Sequence, residues 1–129
     1  MTAPRLFRVI VPVSNIEEAL RFYSALLGIP GEAVSGNRYY FDCGGVILAC
    51  VDPRGDNREF QPNPDHIYLA VDDLEAVYER AKKAECSWLE NGIEVRPWDE
   101  RSFYLRDPFE NPVCIVEAGT EFMGGRFVP

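Results

Sequence analysis

The chain has 129 residues, a formal net charge of −8 at pH 7 and a hydrophobic fraction of 47%. This length allows one domain with a sizeable core, and the hydrophobic fraction is ordinary for a globular protein. The acidic balance argues against nucleic acid and anionic membranes as partners, because both are bound through basic surfaces. It is compatible with a neutral or cationic ligand, although a solubilising acidic surface is the simpler interpretation.

Neither a membrane span nor a signal peptide is evident in the sequence. No apolar run approaches the roughly 18 residues that a span needs, and the first residues lack the apolar core of a signal peptide. We therefore expect a cytoplasmic protein. None of its four cysteines is in a CxxC spacing, so we expect free, mostly buried thiols at Cys43, Cys50, Cys86 and Cys114.

The first half of the chain is typical of a strand, a helix and two further strands. Residues 7–13 are apolar almost throughout, as in a strand that is covered on both faces. Asn15 is the predicted N-cap of the helix, Glu18 completes a capping box, and Gly28 ends the helix. Residues 39–42 and 46–51 are the predicted strands, joined by a turn at 43–45.

The second half repeats this plan. We predict a strand at Ile67–Val71 and a helix that is capped by Asp73 and runs to about Glu85. Two strands are predicted at residues 88–96 and 102–106. Residues 107–112 form a turn rich in residues that break regular structure, and the last strand covers 113–117.

The two halves are related by an internal repeat. Residues 8–17 are similar in sequence pattern to residues 66–75, and residues 45–49 to residues 112–116. Neither copy could bury its apolar face alone, so the repeat predicts one pseudo-symmetric domain with a ligand site where the halves meet. We place module one at about 5–52, a surface linker at 53–64, module two at 65–119, and a tail at 120–129 that is mobile or packed on a partner.

Strand alternation identifies two polar residues that face the predicted cavity. His66 shares a face with Tyr68 and Ala70 and could contact a ligand, act as a general base or be a satisfied polar residue of the sheet. Arg8 could clamp the carboxylate or phosphate of a ligand. It could equally lie in water at the strand end or pair with an acidic residue such as Glu117 or Asp107.

Four segments, in their order and spacing, resemble the vicinal oxygen chelate superfamily, which comprises glyoxalases, bleomycin-resistance proteins and extradiol dioxygenases. They are Val13-Ser14-Asn15-Ile16-Glu17, Phe22-Tyr23, Leu27-Gly28 and Arg106-Asp107-Pro108 followed by Asn111-Pro112. The resemblance covers almost the whole chain. It implies an α+β fold in which two paired βαβββ modules form a curved mixed sheet around a cavity, with the helices outside. It also implies a homodimer.

The metal enzymes of this superfamily carry ligands at positions that correspond here to Arg8, Ile47, His66 and Cys114. The superfamily places His, Gln or Glu there, and only His66 conforms. Arginine cannot act as a ligand, isoleucine has no donor atom, and Cys114 stands where a carboxylate is usual. Histidine and cysteine both bind zinc, but zinc sites need at least three protein ligands. We therefore expect no cofactor, with a divalent metal such as zinc as the alternative.

A second, local resemblance involves residues 97–108, which are similar to the PWG-R-x-F-x-LRDP segment of bleomycin-resistance proteins. In those proteins the tryptophan lines the ligand groove, which implies the same for Trp98. The glycine that follows it there is replaced here by Asp99-Glu100. We interpret the acidic residues of this region as solvated rim, with attraction of a cation as the alternative; they are Glu90, Glu94, Asp99 and Glu100.

These arguments give one set of predicted ligand-binding residues, namely Arg8, His66, Tyr68, Trp98, Phe103 and Cys114. Flat aromatic rings suit an aromatic or cationic ligand, and Tyr68 and Trp98 are the strongest aromatic candidates. A strand cysteine such as Cys114 is usually a small buried hydrophobe, unless Arg8 and His66 converge on it and lower its pKa.

Three functions are compatible with the sequence. The one we favour is metal-independent binding of a small molecule, as in antibiotic resistance by drug sequestration, which needs no catalytic residue. The second is a metal-dependent lyase, isomerase or dioxygenase of the glyoxalase type. The third is a sensor or interaction module that uses the cavity to detect its ligand.

Overall fold

The computed structural model describes residues 2–125, so residues 126–129 of the predicted tail lie outside the described part. The chain divides into two compact units, Met1–Asn63 and Pro64–Pro129. Residues 2–125 form two α-helices, one short 3-10 helix and nine strands in two mixed sheets. The predicted α+β fold with two related modules is therefore confirmed. Within the same residues, no helix is long and apolar enough to cross a membrane.

Unit one contains a four-stranded sheet in the order β1-β4-β3-β2. Strands β1 and β4 are parallel and the other pairs are antiparallel. The elements are β1 (Arg8–Pro12), α1 (Ile16–Leu27), β2 (Glu32–Ser35), β3 (Arg38–Cys43), β4 (Val46–Val51) and the 3-10 helix (Pro53–Asp56).

The helix of unit one begins and ends where the sequence predicts. The side chain of Asn15 accepts a hydrogen bond of 3.0 Å from the amide of Glu18, which satisfies a free N–H of the first turn. Gly28 ends α1 in the left-handed region at φ 70°, and its amide donates to the carbonyl of Ser24. The buried residues of α1 are Ala19, Phe22, Tyr23 and Leu26, at the spacing of one helical face.

The residue pattern does not predict two elements of unit one, although the βαβββ module implied by the resemblance includes the first of them. Strand β2 is exposed at all four residues and therefore lacks the apolar alternation that marks a strand. It forms the outer edge of the sheet through backbone pairing with β3. The predicted linker contains the 3-10 helix, which is capped by the side chain of Asp52.

Unit two contains a five-stranded sheet in which the order β5-β9-β8-β6 is extended by β7, which also pairs with β8. Strands β5 and β9 are parallel, as β1 and β4 are in unit one. The elements are β5 (Ile67–Val71), α2 (Leu74–Lys83), β6 (Trp88–Leu89), β7 (Glu94–Val95), β8 (Arg101–Arg106) and β9 (Pro112–Glu117).

The single strand predicted at residues 88–96 is in fact two short strands. The hydroxyl of Tyr78 donates a hydrogen bond of 2.8 Å to the carbonyl of Glu90 and accepts one of 2.7 Å from the amide of Gly92. Gly92 has a φ of 103°, which a glycine adopts readily. The segment between the strands is therefore tied to α2, and the amide of Glu90 also bonds to the carbonyl of Tyr104 on β8 at 3.0 Å.

The turn between β8 and β9 explains part of the family-like sequence by structure alone. Asp107 is fully buried, and its Oδ1 accepts hydrogen bonds from the amides of Phe109 and Asn111, at 2.8 and 2.9 Å. Its Oδ2 accepts from the side chain of Asn111 at 2.8 Å. The same turn holds Glu110 at a φ of 73°. Asp107 and Asn111 thus build the turn and do not face a ligand.

Candidate ligand-binding face

One face of the second sheet carries most of the predicted site. Cys114 on β9 lies opposite Tyr68 on β5 and Tyr104 on β8, so the three side chains project from the same side. The opposite side is apolar and buried, through Phe103, Leu105, Val113 and Ile115. We call the side that carries Tyr68 and Tyr104 the binding face.

Phe103 is not on this face, which corrects its predicted role. Its side chain is fully buried, and its ring meets the ring of Tyr78 on α2 edge to face, with centroids 4.9 Å apart. Neighbouring residues of a strand point to opposite sides, so a cavity-facing Tyr104 places Phe103 in the core.

The larger pocket on the binding face has a volume of about 630 Å³ and is open to solvent. Tyr68 and Trp98, the strongest aromatic candidates, both line it. The complete lining comprises Tyr68, Leu69, Ala70, Trp98, Glu100, Val116, Glu121, Phe122 and Met123. Among these residues there are two carboxylates and no lysine or arginine. We call this the acidic pocket.

Glu100 is the residue of the acidic pocket whose burial the sequence interpretation missed. Only 9% of it is exposed, so the expected solvated rim is wrong at this position. Its Oε1 accepts a hydrogen bond of 2.7 Å from the indole Nε1 of Trp98, and its Oε2 accepts one of 2.8 Å from the amide of Phe122. Residues 2–125 provide no ion-pair partner for it. Glu100 is therefore a largely buried carboxylate held by neutral donors.

The turn before Glu100 places it beside the tryptophan. Asp99 has a φ of 70°, a left-handed conformation that aspartate tolerates better than most residues. The amide of Arg96 bonds to the carbonyl of Glu100 at 2.8 Å, and the amide of Asp99 to the carbonyl of Arg96 at 2.9 Å. The Asp99-Glu100 pair that replaces the family glycine thus forms the tight turn and supplies the pocket's carboxylate.

A second acidic residue of this region, Glu90, is neutralised by Arg96. The guanidinium of Arg96 bonds to both carboxylate oxygens of Glu90, at 3.1 and 2.5 Å, and to the hydroxyl of Ser102 at 2.9 Å. Burial favours a raised pKa of Glu90, but the hydrogen bonds from Arg96 and from the Tyr104 amide outweigh it, so the pKa lies below its usual range. The charge of Glu90 is thus unavailable to a ligand.

Cys114 lies beneath the binding face and does not line either pocket. Its side chain is fully buried, and burial raises the pKa of the thiol to about 11, against the opposing influence of a hydrogen bond with Ser102. The lowered pKa that convergence with Arg8 and His66 would produce is therefore absent. Cys114 is a protonated, buried thiol at neutral pH, and the direct ligand contact predicted for it is not supported.

His66 is exposed and lies just before β5. Its ring centroid is 5.0 Å from that of Tyr104 and 6.1 Å from that of Tyr68. It belongs to a smaller pocket of about 410 Å³, lined by His66, Tyr68, Trp88, Tyr104, Leu105 and Arg106. Burial raises the pKa of both Tyr68 and Tyr104, so their hydroxyls are protonated donors at neutral pH.

Arg8 belongs to unit one, where it is exposed and opposite Ile47 on β4. Its guanidinium donates a hydrogen bond of 3.1 Å to the hydroxyl of Tyr40 and lies 5.0 Å from the ring centroid of Phe7. The acidic partners considered for it are engaged elsewhere: Glu117 pairs with Arg101, and Asp107 holds its own turn.

The residues at the family's metal-binding positions do not fit a divalent metal. Arg8 is a cation, Ile47 is a hydrocarbon, and Cys114 is buried with a raised thiol pKa. His66 is thus left without a second suitable donor among these positions. Residues 2–125 contain no cluster of three or more His, Cys, Asp or Glu that could hold a metal ion.

Known structures support the fold. A glyoxalase/bleomycin resistance protein from Albidiferax ferrireducens T118 is 22% identical, with a TM-score of 0.73, covering 85% of this chain and 95% of its own. A lactoylglutathione lyase from Agrobacterium tumefaciens is 22% identical, with a TM-score of 0.69, covering 92% and 96%. A superfamily member from Sphaerobacter thermophilus DSM 20745 is 23% identical, with a TM-score of 0.68, covering 89% and 98%.

The family assignment rests on the sequence as a whole. No curated protein matches the chain significantly. The profile of the Glyoxalase/Bleomycin resistance protein/Dioxygenase superfamily matches residues 5–115, which is most of the chain. The protein therefore belongs to the glyoxalase/bleomycin resistance/dioxygenase superfamily, as the sequence motifs predicted.

Proposed function

We propose that the protein binds a planar aromatic cation in the acidic pocket and does so without a metal. The observation that carries this proposal is the carboxylate of Glu100, which is 9% exposed and hydrogen bonded to the tryptophan that forms a wall of the pocket. A buried carboxylate without a basic partner favours a cationic ligand. Such a pocket is suited to sequestration of a toxic small molecule, a biological role that needs ligand binding but no catalytic residue.

The remaining lining suits an aromatic body. Trp98, Tyr68 and Phe122 offer rings, and Met123 offers a flexible thioether, which adapts to irregular ligand shapes. A pocket of about 630 Å³ lies within the range of ordinary small-molecule sites. Aromatic walls and the buried carboxylate of Glu100 together favour a flat ligand with a positive charge at one end.

Three matched probes test this proposal. Benzamidine, benzamide and benzoate are nearly identical in shape and carry positive, zero and negative charge. We expect benzamidine to bind wild type more tightly than benzamide in calorimetric titrations. Hydrogen bonds to charged groups contribute about 1.5–3 kcal/mol. Glu100→Gln should therefore weaken the binding of benzamidine about tenfold or more and leave the binding of benzamide nearly unchanged.

The matched control is Glu94→Gln, which makes the same charge change on an exposed strand residue outside the pocket. It separates the loss of a local contact from the loss of general electrostatic attraction. Equal weakening by Glu100→Gln and Glu94→Gln would show that only the overall charge matters. No binding of benzamidine to wild type would contradict the proposal.

A metal-dependent lyase, isomerase or dioxygenase is the competing function, and it requires a bound metal. We expect elemental analysis after incubation with zinc, nickel, manganese and iron to find no stoichiometric metal, and EDTA to leave benzamidine binding unchanged. One metal per chain that is lost in His66→Ala would support the enzyme instead.

A further inference from the structure

A second pocket with opposite charge lies on the same face of the sheet as the acidic pocket. Trp88 on β6 lies opposite Arg106 on β8, and Tyr104 is two residues before Arg106, so the three side chains share the binding face. His66 precedes β5 and faces the same pocket. Its lining contains one arginine, the chain's single histidine and no carboxylate.

Arg106 is the charged group of this pocket that is available to a ligand. It is exposed, and its guanidinium makes one long hydrogen bond of 3.4 Å, to the carbonyl of Glu110. It takes part in none of the ion pairs formed by residues 2–125. Arg96, by contrast, has its donors committed to Glu90 and Ser102. Arg106 thus presents free N–H donors with the planar geometry that matches a carboxylate.

The ring of Tyr104, beside Arg106 on the same face, is held in place by the protein. The guanidinium of Arg96 lies 4.5 Å from the ring centroid of Tyr104, and His66 meets the same ring edge to face at 5.0 Å. Trp88 is 50% exposed and provides an open indole face. A fixed ring requires less ordering when a flat ligand stacks against it.

From these observations we infer a second ligand site, formed by Arg106, Trp88, Tyr104 and His66, that binds an aromatic carboxylate. The carboxylate accepts hydrogen bonds from Arg106, and the ring lies among the aromatic side chains. A volume of about 410 Å³ is enough for a small ring system. The inference does not depend on the acidic pocket, because Tyr68 is the one residue that lines both pockets.

The chain's two tryptophans provide a separate reporter for each pocket: Trp88 lines this site and Trp98 lines the acidic pocket. We would follow their indole N–H signals in nitrogen-15 NMR spectra of the full chain, with Trp88→Phe to assign them. Benzoate should shift the Trp88 signal in a saturable way and leave Trp98 nearly unmoved. Benzamide, which lacks the charge, and acetate, which lacks the ring, should each bind at least tenfold more weakly.

Arg106→Gln is the decisive variant, since it removes the charge from an exposed side chain. It should weaken benzoate at least tenfold, whereas Arg21→Gln, an exposed arginine on α1, should leave benzoate binding unchanged. Unaltered binding in Arg106→Gln, or a benzoate response at Trp98 alone, would overturn the inference.

The same spectra separate this inference from the proposed function. If benzamidine shifts Trp98 and benzoate shifts neither indole, the second site is wrong and the acidic pocket stands. If benzoate shifts Trp88 and benzamidine shifts neither, the reverse holds. If neither probe shifts either indole, both proposals fail.

Discussion

The indole of Trp98 donates a hydrogen bond of 2.7 Å to the carboxylate of Glu100, two residues further along the chain. The other oxygen of this carboxylate accepts a hydrogen bond of 2.8 Å from the amide of Phe122. One side chain therefore links a wall of the acidic pocket to the C-terminal segment that completes it. Glu100 thus stabilises the pocket as well as giving it charge.

A conservative substitution of Glu100 tests this link. In Glu100→Gln, the amide group retains one oxygen as an acceptor for Trp98 but has no second oxygen for the Phe122 amide. We expect the free energy of unfolding to fall by about 1–2 kcal/mol. Hydrogen exchange at the Phe122 amide should accelerate. The exposed Glu94→Gln should change neither measurement, and an unchanged exchange rate at Phe122 in Glu100→Gln would contradict the link.

The ion pair of Arg96 and Glu90 should govern part of the acid stability. The side chains are 13% and 21% exposed, so replacing one partner leaves the other largely buried and unpaired. We expect Glu90→Gln to lower the free energy of unfolding by about 2 kcal/mol at pH 7, measured by urea denaturation.

The pH dependence of that loss follows from the lowered pKa of Glu90. A carboxylate whose folded pKa is below its unfolded value stabilises the fold above the unfolded pKa, and this contribution disappears as the pH falls through the folded pKa. The stability difference between wild type and Glu90→Gln should therefore be full at neutral pH and shrink below about pH 4.5, the ordinary value. A difference that grows on acidification would show that the pair does not hold the charged form.

Cys114 should be one of the two least reactive positions for a thiol reagent, together with Cys50. Both side chains are fully buried, whereas Cys43 and Cys86 are partly exposed. Burial raises the pKa of Cys114 and of Cys86 to about 11, so exposure and not the pKa distinguishes these two thiols. At pH 8 we expect Ellman's reagent to label Cys43 and Cys86 before Cys114, and all four cysteines in urea. Mass spectrometry of the labelled peptides checks the order. Rapid labelling of Cys114 in the folded protein would revive its interpretation as a reactive thiol.

Phe103 and Trp98 should behave differently although both were predicted to contact ligand. Phe103→Leu removes an edge-to-face contact from the core and should lower the free energy of unfolding by about 1–2 kcal/mol, less than truncation to alanine. It should not change benzamidine affinity. Trp98→Phe should weaken benzamidine severalfold, because the hydrogen bond to Glu100 and the indole surface are lost. A comparable affinity loss in Phe103→Leu would place Phe103 back in the site.

Hydrophobic periodicity and helix-capping residues are sufficient to predict most of the fold from the sequence. The Asn15 cap, the stop at Gly28 and the repeat of strand and helix depend on local patterns, and the structure follows them. Periodicity does not indicate strand β2, because an exposed edge strand is specified by its pairing partner and not by its own residues. The break in the strand predicted at 88–96 depends on Tyr78, a residue of the preceding helix, which no local pattern could reveal.

The site was less accessible to sequence reasoning than the fold. Alternation along β5 and the family-like segment identified Tyr68 and Trp98, which both line the acidic pocket. The sequence places Glu100 among solvated acidic residues, because a charged residue next to Asp99 has no periodic signal of burial. Its partner at Phe122 is more than twenty residues away along the chain, so only the folded structure identifies the contact. The local sign in the sequence is the replacement of the family glycine by Asp99-Glu100, and the structure shows a left-handed turn at Asp99 there.

The most direct test of the central claim is the indole N–H signal of Trp98 during titration with benzamidine, in wild type and in Glu100→Gln. We expect a saturable shift of this signal in wild type, a much weaker response to benzamide, and at least a tenfold weaker affinity for benzamidine in Glu100→Gln. A Trp98 signal that stays in place while benzamidine binds elsewhere, or a shift of equal affinity in Glu100→Gln, would contradict it.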